Sequence, residues 1–367
     1  MGSWGMAQGR QAAEFDAVVV GAGPNGLAAS TTLAAAGASV LVVEGAETVG
    51  GGTRSAELTL PGFVHDVCSA IHPLGVASPY LASLPLDRHG LQWAQPEVPL
   101  AHALDGGRAA TLQRSVEATD EALGEGQHWA SVLGPLVQEW EGLVEQLMGP
   151  VLRPPVHPLL LGRFGLRALW PAEALARRVL DTEAASALFA GVAAHSITPL
   201  HKALTSAPAL VLAAAGHAVG WPAAKGGSQW IADAMAAHLV ELGGTIETGR
   251  PISSLGQLPR SHAVLFDTTP AQLADIAGER LPDRYRRRLR RFRHGSASFK
   301  VDYALDGPVP WTASEARRAG TVHVTGSIDQ LTRTMADLQT GCIPATPFLI
   351  FGQYSMTDPT RQPAGKE

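Results

Sequence analysis

The chain is short of charge, of lysine, of cysteine and of long apolar runs. Only 17% of its 367 residues are charged, and the net charge is −5. Nucleic-acid binders normally carry a basic face, so a mildly acidic chain with only Lys202, Lys225, Lys300 and Lys366 as lysines argues against that partner. The remaining positive charge is arginine, which beside abundant Ala and Gly reads as coding bias rather than function. Cys68 and Cys342 are too few for a disulfide framework or a zinc cluster, and neither belongs to a Cys-x-x-Cys pair. His195, His201 and His217 are spread over helical segments without ligand spacing, so no metal is expected. The longest weakly polar stretch, 204–221, is interrupted by Ser206, Pro208 and His217 and makes a poor membrane span. Residues 1–14 are polar and Gly-rich and read as a flexible tail rather than a secretion signal. A cytoplasmic, reducing setting is expected.

What is present is 46% hydrophobic, ordinary for a globular chain, at a length that suits two domains or one with an insertion. The strongest local pattern is at the front. Ala17–Val20 is an apolar run without alternation, as in a parallel strand buried on both faces. It breaks at Gly21-Ala22-Gly23-Pro24-Asn25-Gly26, and an Ala-rich helix then runs to Ala36 with Gly37 as its cap. Val40–Val43 is a second strand, ending at Glu44. This is the β-α-β layout of a dinucleotide-binding unit. Gly21 serves the tight turn, Gly23 the close backbone approach to a pyrophosphate, and Gly26 the helix–strand packing. Glu44 is placed to accept hydrogen bonds from ribose hydroxyls, and its charge disfavours a 2′-phosphate. With 40 Gly in the chain, roughly half a match to the bare glycine spacing arises by chance, so the flanking strand, helix and acid carry the assignment.

Further along, Gly50-Gly51-Gly52 precede a hairpin turning at Pro61-Gly62. Trp129, Leu133, Leu136, Trp140, Leu143 and Leu147 recur at helical steps and read as core packing. Pro171 opens another helix, and helical segments continue to about Ala215. Ser228 is placed to cap a helix with Ile231, Met235, Leu239 and Leu242 on one face, ended by Gly243-Gly244. Strands are expected at 245–248, 263–266 and 348–353.

A second glycine cluster six residues after Glu44 allows the backbone to approach the same pyrophosphate from another side, which favours FAD over NAD. Here the sequence resembles the phytoene desaturase-like FAD-dependent oxidoreductases of the amine-oxidase superfamily. The match is Gly21, Gly23, Gly26, Glu44, Gly50 and Gly51; Gly52 stands where many members have Arg, and Arg54 is the nearest substitute. Leu60-Pro61-Gly62-Phe63, His65-Asp66, His72-Pro73-Leu74, Trp221-Pro222, Gly226-Gly227, Asp267-Thr268-Thr269-Pro270, the segment Phe299–Pro308 and Thr357–Arg361 extend the resemblance. They point to the branch named for a pyridine-nucleotide-disulphide-oxidoreductase domain, although this chain lacks a redox Cys pair.

The resemblance implies an α/β architecture: a discontinuous Rossmann-like FAD-binding domain (15–85 and 222–280) with an inserted α+β substrate domain (86–221 and 281–367). It implies that Gly21, Gly23, Pro24, Asn25, Gly26, Gly50, Gly51, Gly52 and Arg54 surround the pyrophosphate, that Glu44 holds the ribose, and that the backbone of Ile252 meets the adenine. The strand ending at Asp267-Thr268-Thr269 passes near the cofactor. The family's second flavin segment, a strand, glycine turn and helix, has no counterpart after Gly341, so the chain reads as C-terminally truncated, with a naturally short relative as the alternative.

The implied activity is removal of a hydride from an apolar small-molecule substrate to FAD, with the electron acceptor left open. A flavin-dependent isomerase or saturase, and a non-catalytic flavin-fold interaction protein, are the alternatives. No proton-transfer residue is singled out: His65, Asp66 and His72 could sit near the flavin, but structural roles are the plainer reading. Cys68 is expected to be buried rather than flavin-linked. The arginine run 286–293 reads as a solvated helix face, with contact to an anionic membrane surface as the sharper alternative. Arg163 and Arg167, beside Leu159–Leu161 and Phe164, lend similar support to a lipid-facing entrance.

Overall fold

The computed structural model describes residues 13–150 and 154–366. The expected tail falls almost wholly outside them. Twelve strands are described: β1 (Phe15–Val20), β2 (Val40–Val43), β3 (Ser55–Glu57), β4 (Val64–Asp66), β5 (Trp93–Ala94), β6 (Val98–Leu104), β7 (Arg108–Leu112), β8 (Ala223–Ala224), β9 (Thr245–Glu247), β10 (Ser261–Phe266), β11 (Ala319–Val324) and β12 (Leu349–Gly352).

Two four-stranded sheets organise the molecule. The first, in the order β10-β1-β2-β9, is wholly parallel. Its central strands carry no polar alternation because both faces are covered: Val19, Val40 and Val42 pack with Leu27, Ile231, Met235 and Leu239, while Val18, Leu41 and Val43 face Ile252 and Leu258. The crossover helix α1 (Pro24–Ala35) begins immediately after the glycine turn and lies against the helix Gln229–Glu241. Gly37 at its end has φ +87°, the left-handed geometry expected of its cap.

The second sheet, β12-β11-β6-β7, is mixed; its parallel pair β6–β11 joins segments more than 200 residues apart. Leu100, Leu104 and Leu112 on one face pack beneath helices drawn from 116–218. The periodic stripe is buried as expected, but it is shared by two helices, His128–Gln138 and Trp140–Met148. Pro135 lies inside the first, and at Glu139 the backbone leaves helical geometry. The apolar stretch after 204 forms the buried helix Ser206–Ala218. No described helix is long and apolar enough to cross a membrane.

Two short antiparallel pairings accompany these sheets. The hairpin β3–β4 forms about Pro61-Gly62, and β5 pairs with β8 where the chain leaves for the second sheet and returns. Pro171 sits at the N-cap of the helix Ala172–Val179, one position outside its expected place. Cys68 corrects the expectation of burial: it is exposed. Val67 N–H and Ser69 N–H on either side of it donate to Arg54 O (2.7 Å) and Gly52 O (2.9 Å), which fixes the loop with Cys68 outermost.

Candidate functional site

At the carboxyl ends of β1, β2 and β10 the chain leaves a cleft of about 480 Å³, within the range of small-molecule sites. It is lined by Gly21, Gly23, Pro24, Asn25, Glu44, Gly51, Gly52 and Ile252, together with Arg250, Asp267 and Gln272. Eight of the eleven sequence-derived positions therefore share one surface. Gly26, Gly50 and Arg54 do not line it.

Those three build the cradle from behind. A Cβ on Gly26 would strike the Gly21 carbonyl oxygen, so its role is the close packing of α1 on β1. Gly50 N–H donates to Ala22 O (2.8 Å), pinning the second glycine cluster to the first turn. Gly51 rests directly on Gly23: a Cβ there would come within 3.1 Å of Gly23 Cα. Arg54 Nε–H donates to the Gly51 carbonyl (3.0 Å), so this guanidinium braces the loop.

Glu44 lies between the two clusters. Its Oε2 accepts from Ala22 N–H (2.7 Å) and its Oε1 from Ala46 N–H (2.9 Å). Each oxygen keeps a lone pair for a hydroxyl donor. Arg250, whose guanidinium contacts Glu247 and the Gln257 carbonyl, adds positive charge to the wall near Ile252. Asp267 opposes it. Its Oδ2 accepts from Gly26 N–H (2.9 Å), so a carboxylate sits at the positive end of α1. The sequence placed the strand before Asp267 near the site but assigned this side chain no contact.

A second group of motif residues meets away from the cleft. Asp66 and Arg361 form a buried ion pair (2.6 Å), and Arg361 also donates to Ala224 O (2.6 Å) and lies 3.3 Å from Asp358. Asp66 Oδ1 accepts from Ser55 Oγ–H and Ser228 N–H (both 2.6 Å), and Asp358 accepts from Gly226 N–H (2.5 Å). Every charge has its partners, as burial demands. The segments at 66, 226–228 and 358–361 thus form one polar knot between the two sheets.

Ser228 occupies the N-cap position as read from sequence, but makes no side-chain cap; its hydroxyl bonds His72 Nε2 (2.8 Å) instead. Burial drives His72 down to about 4, so it is neutral near pH 7. Burial likewise lowers His65, whose Nε2 meets Thr59 Oγ1 (2.7 Å). Neither histidine, nor Asp66, lines the cleft.

His195, His201 and His217 do not converge on one another. His217 accepts from Trp129 Nε1–H (3.1 Å), whereas His195 meets His323 Nε2 (2.8 Å) on β11, beside His102 of β6. Desolvation holds His102, His195 and His217 at about 4 and His323 well below its ordinary value. A second, wider depression of about 740 Å³ lies at Trp140, His157, Leu160 and His217. Glu139, Glu141 and Glu145 ring it, which does not suit an apolar ligand.

Comparisons with known proteins agree with the fold. Residues 19–84 match the family model described as NAD(P)-binding Rossmann-like domain. A segment of 111 residues is 36% identical to one of the subunits of the limonene dehydrogenase of Castellaniella defragrans; it spans 30% of this chain and 20% of that relative. Among solved structures, an oxidoreductase from Methanosarcina mazei aligns with a TM-score of 0.56 over 95% of this chain and 76% of its own, at 15% identity. Wild-type putrescine oxidase bound to putrescine aligns at 0.51 over 84% and 69%, at 22% identity. The chain has the Rossmann-like α/β fold of that group of oxidoreductases.

Proposed function

We propose that the chain is an FAD-dependent oxidoreductase that moves a hydride from an apolar small molecule to FAD. The observation that carries this is the contact of Gly51 on Gly23 beside Glu44: two glycine clusters form one floor, as a long dinucleotide held at its pyrophosphate requires. In this reading residues 15–85 and 222–280 hold FAD, while 86–221 and 281–367 shape the substrate side. Gly21, Gly23, Pro24, Asn25, Gly51 and Gly52 face the pyrophosphate, backed by Gly26, Gly50 and Arg54. Glu44 accepts from the ribose, and Ile252 borders the adenine.

FAD, when bound, supplies the hydride acceptor, so the protein's tasks are binding, orientation and exclusion of water. Arg250 and the amino end of α1 favour the phosphates; Asp267 tempers that charge. The neutral His72 and the Asp66–Arg361 pair hold the loops behind the site and are assigned no proton transfer. An apolar substrate is supported by the sparse charge and by the relative named for limonene, a hydrocarbon. The two free cysteines suit a cytoplasmic setting.

A peripheral membrane contact belongs to the same reading. The helix Pro158–Ala168 exposes Leu159 and Leu166, with Leu169 and Trp170 just beyond it. Anionic vesicles are expected to retain the protein more than neutral ones.

The functional test is anaerobic. Purified chain incubated with FAD is expected to turn yellow and to bleach on adding a cyclic or long-chain hydrocarbon substrate. Failure to take up flavin would overturn the cofactor assignment. Flavin that no compound bleaches, yet which supports conversion once reduced, would replace oxidation by isomerisation.

A further inference from the structure

A trio of metal-binding side chains lies outside the cleft. His238 and Glu241 stand three apart on the last turn of the helix Gln229–Glu241 and so share a face. His89 reaches them from a turn about 150 residues earlier. Its Nε2 is 3.1 Å from Glu241 Oε2, and His238 Nδ1 is 3.3 Å from the same oxygen. The three donor atoms all lie within 4.8 Å of one another, and the two rings are 5.6 Å apart at their centroids.

This arrangement is held in place before any ligand arrives. His89 N–H and Leu91 N–H both donate to Leu86 O (3.1 Å), and Leu86 and Leu91 are buried against the helix that carries His238. Gly90 packs on the Trp230 ring of that helix, where a Cβ would come within 3.0 Å. The imidazoles are largely covered, 17% and 13% exposed, while Glu241 at 64% leaves one side open to water. Both histidines hydrogen-bond the Glu241 carboxylate.

We propose that His89, His238 and Glu241 bind one zinc ion, with solvent completing the coordination. Two imidazoles and one carboxylate suit zinc, nickel or cobalt rather than the all-oxygen shells of magnesium and calcium. Each imidazole presents a lone pair to the ion by carrying its proton on the other ring nitrogen. None of the three residues borders the cleft. They lie instead where the turn at residues 86–91 packs on the last turns of the helix Gln229–Glu241. The ion's role is therefore a staple between that turn and the helix.

The test uses the full chain stripped with a chelator and titrated with zinc by calorimetry, with cobalt absorbance as a second readout. One saturable site per chain is expected, with a rise in Tm that magnesium and calcium do not reproduce. His89→Ala and His238→Ala should each weaken zinc binding by about tenfold or more, while His201→Ala leaves it unchanged. Folding is checked on each variant by circular dichroism without metal. Absence of saturable binding, equal protection by magnesium, or unaltered affinity in the folded His89→Ala, His238→Ala double variant would overturn the site.

Discussion

The two sheets use glycine in opposite ways. In the parallel sheet, Gly23 and Gly51 bring backbone to the wall of an open cleft, and the nearby polar groups, Glu44, Arg250 and Asp267, border that cleft. In the mixed sheet, Gly191 of the helix Glu183–Ala194 makes room for the protein's own His102 and His323, whose Nδ1 atoms are buried and without hydrogen-bond partners. One region keeps polar atoms wet and available. The other dries them and holds them uncharged. The difference separates an open, polar-walled cleft from a packed support.

The largest effect expected from this contrast is on pH dependence. His102, His195 and His217 fall to about 4 in the folded protein, against an ordinary value of 6.5. Because the folded values are lowered, the unfolded chain binds protons first. Stability is full above about pH 6.5 and is lost as pH falls toward 4, by up to about 1.4 kcal/mol per histidine per pH unit. Urea denaturation between pH 7.5 and 5 should show a steep loss; a flat profile would break the claim that the mixed sheet's support is dry.

Next in size is Gly191→Ala. A Cβ there would run into His102 Nδ1 and approach His323 Nδ1 to 2.6 Å, with fully buried neighbours that cannot move aside. A loss of about 1–3 kcal/mol is expected in denaturant melts. An unchanged midpoint would show the packing to be looser than described.

The smallest effect concerns Asp267. Asp267→Asn removes the carboxylate at the amino end of α1, costing about 0.3–1 kcal/mol of stability while favouring an anionic ligand. Flavin titration should then tighten by about two- to fivefold, a change of the same size. Weaker flavin binding in this variant would mean that Asp267 assists the ligand rather than opposing it.

How far the sequence reached follows the same division. The β1–α1–β2 unit was legible because its signals are local: an apolar run, closely spaced glycines, and an acid at the next strand's end. The pairing of β6 with β11 was not, since register partners such as His102 and His323 come from distant parts of the chain and leave no spacing in it. Ser228 shows the limit of local propensity. It stands at a helix start, yet buried His72 takes its hydroxyl and Asp66 takes its N–H. Asp267 was placed near the site by its strand, but its bond to Gly26 N–H depends on how β10 docks beside β1. The trio at His89, His238 and Glu241 was invisible for the same reason. A search by spacing cannot see ligands brought together by packing a turn on a distant helix.

The central claim is that the glycine floor is an FAD site, and one titration addresses it directly. Flavin fluorescence quenching is followed for the wild type and for Gly23→Ala, whose added Cβ would come within 2.6 Å of Asp267 Oδ2 at the floor of the cleft. One saturable site is expected in the wild type and affinity at least about a hundredfold weaker in the variant, about 2.7 kcal/mol, with folding stability lowered by no more than about 1 kcal/mol as Asp267 is displaced from Gly26 N–H. Equal binding by both proteins, or none by the wild type, would contradict it.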